Sequence, residues 1–391
     1  MGRSTLPPAM RLVCVVAAIL LAACAPPVTA SGRSGTSGTP HPPPRPTPSV
    51  SAPSDANQDA MPGPGGMTLR QEIGAVMMVG FQGGLSPAVV DDWRQHQFGG
   101  LILVPINQNA QDPAAIRRLI QSLRGVMAHP LLVATNQEGG TVCFPATQVP
   151  CLAGARQVGP HGPGAVQTEM ATMSQGLKAL GFDINLAPVA DVWDGVHPFM
   201  SERSYGQNPA VVAQDVTAAI AGIHAAGMYA AAKHFPGHGT ANADSHLSLP
   251  FVAESAPTLR SRDFLPFQAA IAAHVEMVMV GHLNVPALDA LAPTSMSAAV
   301  LQLLRSELGY PGIVISDDLQ MGALSPQHPP PPAAVRFLEN GGDMVIVSHD
   351  IQVADATYDA IHAAVLDGGY RRAQLDASVQ KLLNLGLRYM P

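Results

Sequence analysis

Residues 233–246, "KHFPGHGTANADSH", place three histidines, a lysine and an aspartate within fourteen positions. Three chemistries could use them. His234, His238 and His246 could gather around a metal ion, but Pro236 and Gly237 separate the first two and oppose the helix that puts a His-x3-His pair on one face. "PGHG" with Lys233 could cradle a phosphate, yet the lysine precedes the glycines and no Gly-Lys-[Ser/Thr] follows. The favoured reading pairs Asp244 with His246 across Ser245: the carboxylate orients the imidazole and raises its basicity, making a general acid/base. His238 is then a loop histidine without a ligand role, and no metal or cofactor is expected. A second group is needed to cleave a bond, and Asp317, ending the apolar run "GIVISDD", is the candidate. Two groups flanking one sugar carbon is the logic of glycoside hydrolysis. One member of the Asp317–Asp318 pair could instead cap a helix.

Positioning such groups requires a scaffold, and the chain supplies a repeating one. Apolar runs at 75–81, 100–104, 131–135, 182–188, 229–235, 276–282, 312–318 and 343–349 alternate with helix-like segments. One such segment, "NPAVVAQDVTAAIAGIHAAG", opens on Asn-Pro and closes on Gly227, the expected start and stop signals. Runs that are continuous rather than alternating predict parallel strands buried on both faces. Eight such units predict a single α/β domain, a TIM-type (β/α)8 barrel; a doubly wound sheet is the alternative, without a Gly-x-Gly-x-x-Gly after the first strand to support it. Polar residues sit where the runs end: Asn136, Gln137 and Glu138, then Asp191, Lys233 and His234, His282 and Asn284, Asp317 and Asp318, His349 and Asp350. Barrel active sites lie at that rim. "SPQHPPPP" (325–332) reads as a rigid loop.

The rest of the chain bounds the setting. Of 391 residues, 47% are hydrophobic and 13% charged, with a net charge of −7. Without a basic block, nucleic acid is excluded as a partner. Residues 1–23 read as an export leader: Arg3 and Arg11 precede "LVCVVAAILLAAC", whose "LAAC" resembles a lipobox and makes Cys24 the expected lipidated residue. Residues 24–66 then read as the lipidated cysteine and a Pro/Ser-rich tether, and 67–391 as the catalytic body. The expected location is the extracytoplasmic face of the cell membrane. Cys143 and Cys151 are a possible disulfide in an oxidising compartment.

"KHFPGHG", "DSH" and "SDDL", with "NQEGG", "LAPVADV", "RSYG" and "VMVGH" in order between residue 68 and the C-terminus, resemble glycoside hydrolase family 3 of the β-N-acetylglucosaminidase type. With the lipobox and tether, the chain resembles its actinobacterial lipoprotein members. The resemblance implies Asp317 as nucleophile of a retaining mechanism and His246 as acid/base partnered by Asp244. It implies that Arg203, Lys233 and His234 hold the N-acetylhexosamine. Family relatives read Asp-Gln-Glu-Gly-Gly-Arg-Val-x-Arg where this chain reads "NQEGGTVCF": Asn136 replaces a sugar-binding aspartate, and Thr141 and Phe144 replace arginines. Asn136 still offers a hydrogen bond, but without charge. The two-domain glucosidases of the family carry their acid/base in a second domain that this chain is too short to hold, which favours a hexosaminidase. The expected activity is release of terminal β-linked N-acetylglucosamine from peptidoglycan or muropeptide fragments by a monomer. A phosphorylase of the same fold and a sugar-binding lipoprotein with impaired turnover are the alternatives.

Overall fold

In the computed structural model, which describes residues 62–324 and 326–387, eight parallel strands close on themselves in sequence order. They are β1 (Met77–Val79), β2 (Gly100–Ile102), β3 (Leu132–Thr135), β4 (Ile184–Asn185), β5 (Tyr229–Phe235), β6 (Met277–Val280), β7 (Ile313–Asp318) and β8 (Met344–Val347). β8 pairs with β1 and completes the cylinder. Each strand lies inside one of the eight apolar runs. Strands β1 to β6 and β8 are buried throughout, because helices cover the outside and neighbouring side chains fill the inside. The (β/α)8 barrel read from the run pattern is the observed fold. The leader, Cys24 and nearly all of the Pro/Ser-rich tract lie outside the described residues.

Local chemistry sets where the helices begin. Asp112 accepts a 2.8 Å hydrogen bond from Ala115 N ahead of the helix Pro113–Arg124, and Asn208 caps the helix Pro209–Ala225 by accepting from Ala210 N at 3.0 Å. Proline suits the first helical position because that N–H has no intrahelical partner. The second helix ends as its sequence indicates, with Gly227 at φ 68°, a conformation that glycine adopts without steric cost. The expected loop at 325–332 is overturned in part: Pro330, Pro331 and Pro332 form the first turn of the helix Pro330–Glu339. Three prolines are tolerated there because the first turn has no N–H bonds to lose. Among the described residues, no helix is long and apolar enough to cross a membrane.

Two register shifts fall where the chemistry is expected. Pairing between β5 and β6 slips between Lys233 and Phe235, and pairing between β7 and β8 slips between Ile315 and Asp318. Such irregularities re-aim side chains at the end of a strand. The bonds Lys233–His234 and Phe235–Pro236 are cis.

Candidate active site

The carboxyl ends of the strands surround a cavity of about 720 Å³. Asn136, Arg203, Lys233, His234, Asp244, His246 and Asp317 all line it, so the barrel brings together every catalytic and sugar-binding candidate from distant parts of the chain.

Glu138, noted in the sequence only as a rim residue, organises the cationic side of the cavity. Its carboxylate accepts two hydrogen bonds from Arg203, Nε and Nη2, both at 2.8 Å, and lies 2.7 Å from Lys233 Nζ. Lys233 also donates to Asn136 Oδ1 at 3.0 Å. Burial would raise the Glu138 pKa, but two cations outweigh it and hold the carboxyl far below the usual range. Lys233 behaves differently. Burial pulls its pKa down, Glu138 pulls it up and Arg203 pushes it down again, leaving it below that of an exposed lysine. One anion shared between two cations explains the asymmetry.

Asp191 is a second buried hub. It accepts from His234 Nδ1 at 2.8 Å, His234 N at 3.2 Å and His238 N at 2.7 Å. Burial alone would raise its pKa; His234 and His238 lower it overall. His238 lies in the loop after β5, as the sequence indicates, but it is not a free loop side chain. It is 1% exposed, and its Nε2 lies 3.1 Å from Ser245 Oγ. Burial, helped by neighbouring His234, pushes its pKa down to about 4. The imidazoles of His234, His238 and His246 thus bond to Asp191, Ser245 and Asp244. Among the described residues, the one grouping close enough to share an ion is Asp92, His96 and Asp355, outside this cavity.

At the end of β7 the two aspartates take separate tasks. Asp317 Oδ1 accepts from Asp318 N at 2.9 Å. Burial raises its pKa, and His234, His282, the Asp318 N–H and Lys233 more than offset that, so the carboxyl stays below its ordinary value. Asp318 caps no helix. It accepts from Ser348 Oγ at 2.6 Å and Ser348 N at 3.1 Å, and lies 3.2 Å from His349 Nε2, tying β7 to the end of β8. Buried His282 bonds Asp318 O at 3.0 Å and Ser295 Oγ at 2.8 Å.

His246 and Asp244 lie on the solvent side of the cavity. His246 Nδ1 lies 2.7 Å from Asp244 Oδ1, which also accepts from His246 N at 2.9 Å. Their side chains are 61% and 33% exposed. The Asp-x-His spacing therefore makes the expected pair. Phe199, which no sequence signal singled out, also lines the cavity. Cys143 and Cys151 are bridged, with Cα atoms 5.8 Å apart, and Cys143 faces the cavity. Of the two positions where the resemblance expects arginine, Thr141 faces the cavity and Phe144 is buried.

A parallel barrel with a half-buried carboxylate and an Asp–His pair facing one rim cavity defines a (β/α)8 barrel enzyme. Residues 68–385 match the family described as "Glycosyl hydrolase family 3 N terminal domain". The chain belongs to that family and is a glycoside hydrolase. A beta-hexosaminidase of Alkalilimnicola ehrlichii is 34% identical over 267 residues, covering 66% of this chain and 76% of the relative. One of Stenotrophomonas maltophilia is 32% identical over 292 residues, covering 72% and 86%. The structure of a glycoside hydrolase family 3 β-N-acetylglucosaminidase from Paenibacillus sp. superposes with a TM-score of 0.78 at 35% identity. That match covers 82% of this chain but only 62% of the Paenibacillus chain.

Proposed function

We propose that this barrel releases terminal β-linked N-acetylglucosamine in two steps with retention of configuration. Asp317 attacks the anomeric carbon while His246, oriented by Asp244, protonates the departing oxygen. In the second step His246 takes a proton from water, which displaces Asp317 from the sugar. Lys233, His234, Arg203 and Asn136 hold the sugar's hydroxyls and acetamido group. The carrying observation is the meeting of two different groups in one cavity: Asp317 is half-buried with a lowered pKa, while His246, paired with Asp244, is exposed enough to exchange protons with solvent. The curated relatives named beta-hexosaminidase support the substrate class.

The natural substrate on this reading is a peptidoglycan or muropeptide fragment, met by a monomer anchored through Cys24 on the outer face of the membrane. The "LAAC" leader and the Pro/Ser-rich tract support the anchor. Release of 4-nitrophenol from its β-N-acetylglucosaminide tests the activity, with Asp317→Ala and His246→Ala expected to fall by at least about 10³-fold. Equal inertness of wild type and variants with retained sugar binding would instead establish the sugar-binding lipoprotein.

One observation favours a second reading, phosphorolysis. The proton-transfer group is an imidazole rather than a second carboxylate, and so it does not repel an incoming phosphate. Product analysis on muropeptides with and without phosphate separates the two; finding free hexosamine alone at high phosphate would dispose of the second.

A further inference from the structure

The proton-transfer pair sits on an exposed loop, yet the residue between its members is buried. Ser245 is 2% exposed, flanked by the partly exposed Asp244 and the largely exposed His246. Its hydroxyl meets His238 Nε2 at 3.1 Å, and His238 is itself fixed to the barrel by the 2.7 Å bond from its backbone N–H to Asp191. The Phe199 ring stands between the two histidines. Its centroid is 5.0 Å from that of His238 and 5.9 Å from that of His246, the latter pair edge-on at 71°. The Arg203 guanidinium carbon lies 5.4 Å from the same centroid. The loop is also tied through its backbone to the segment following Asp317, with Ala323 N donating to Ser245 O at 3.0 Å and Gly322 N to His246 O at 3.2 Å.

We propose that His238, Ser245 and Phe199 are positioning residues for proton transfer: the His238–Ser245 hydrogen bond pins the middle of the Asp244–His246 loop, and the Phe199 ring is the platform against which the His246 imidazole rests. The inference rests on the reading of His246 as proton donor. An exposed side chain on an unpinned loop spends most of its time out of reach of the departing oxygen, and small displacements of a reacting group cost up to about 10²-fold in rate. A pinned backbone restricts His246 to rotations about its own side-chain bonds, and the aromatic ring selects among these. Edge-to-face aromatic pairing is favourable, and a ring face also attracts an imidazolium, the form that donates. Phe199 therefore gives the His246 ring a fixed surface to rest against during the first step.

A proton donor matters most when the leaving group is poor, and this gives a readout that sugar binding alone does not move. Phe199→Leu, Ser245→Ala and His238→Leu are compared with wild type and His246→Ala on the 2,4-dinitrophenyl and phenyl β-N-acetylglucosaminides. kcat/KM reports the first chemical step in each case. The expected result is a loss of about 10- to 100-fold on the phenyl substrate with the dinitrophenyl substrate changed less than about threefold, since a good leaving group needs little protonation. His238→Gln, which keeps a side-chain amide able to hydrogen-bond Ser245, should recover most of the phenyl activity. Both substrates are measured on one preparation, so a partly folded variant still reports their ratio. Equal losses on both substrates, or none, in Phe199→Leu and Ser245→Ala would overturn the proposal if His246→Ala is itself selective against phenyl. A His246→Ala variant indifferent to the leaving group would instead overturn the reading of His246 as proton donor.

Discussion

Replacing Glu138 by glutamine removes one charge and leaves two buried cations without their shared anion. Arg203 loses a bidentate partner at 2.8 Å and Lys233 its 2.7 Å partner, while the glutamine oxygen keeps one acceptor. Removing one partner of a buried ion pair typically costs about 3–5 kcal/mol, against a total stability of roughly 5–15 kcal/mol. With an unfolding entropy of about 2.1 cal/mol/K per residue over the roughly 325 described residues, a loss of about 4 kcal/mol lowers Tm by about 6 °C. The functional effect has a definite sign. Glu138 raises the Lys233 pKa against burial and Arg203, so Glu138→Gln moves it further down; a lysine that loses its proton more readily holds the sugar less firmly, and KM begins to rise at lower pH than in wild type. Urea denaturation and the pH dependence of 4-nitrophenyl β-N-acetylglucosaminide hydrolysis measure the two effects. A variant with stability within about 1 kcal/mol of wild type and an unmoved pH dependence of KM would refute the assignment of Glu138 as the shared counterion.

Three other perturbations follow from particular contacts. Asn136→Asp restores a charged acceptor 3.0 Å from Lys233 and should lower KM for the aryl glycoside about fivefold with kcat little changed, since charge-assisted hydrogen bonds are about twice as strong; an increased KM would count against a sugar-binding role. Gly322→Ala would place a Cβ 2.5 Å from His246 O and 2.9 Å from Leu247 O, so steady-state kinetics should show kcat falling by about tenfold as the loop shifts, with product inhibition by N-acetylglucosamine retained. Asp215, buried with no hydrogen-bond partner for either carboxyl oxygen, has its pKa raised by burial from 3.8 to about 6. The folded state therefore holds the proton more tightly than the unfolded one, and stability falls as pH rises from about 4 to 6. Asp215→Asn should flatten that part of a Tm-versus-pH curve, and an unchanged slope would show that the carboxyl is solvated.

The strands were legible because burial on both faces leaves uninterrupted apolar runs, and all eight fall within those runs. Asp244 and His246 were legible for a similar reason, since contact between positions two apart is a local matter. Glu138 and Asp191 were visible only as rim residues. Their importance comes from partners 65 and 43 positions away, Arg203 and His234, and single-sequence patterns carry no such distances. Phe199 left no signal because an aromatic in a loop resembles any other. His238 was legible as a loop histidine, but its burial was not, because the Asp191 carboxylate that draws its backbone inward lies 47 positions away. The helix at Pro330–Glu339 was hidden by its own prolines, which usually mark an interruption and here occupy the one turn that tolerates them.

The Cys143–Cys151 bridge has a bearing on where the cavity can exist in finished form. It closes the loop 143–151 and fixes Cys143 at the cavity wall, two positions after Thr141 and five after the Glu138 that neutralises Lys233 and Arg203. Both sulfurs pack against Gly140 O. Thiols stay reduced in the cytosol and oxidise outside it. A chain held in reducing surroundings would have the same barrel and the same aspartates, but one wall of its sugar pocket would lack its crosslink. The bridge thus makes completion of this pocket depend on an oxidising environment.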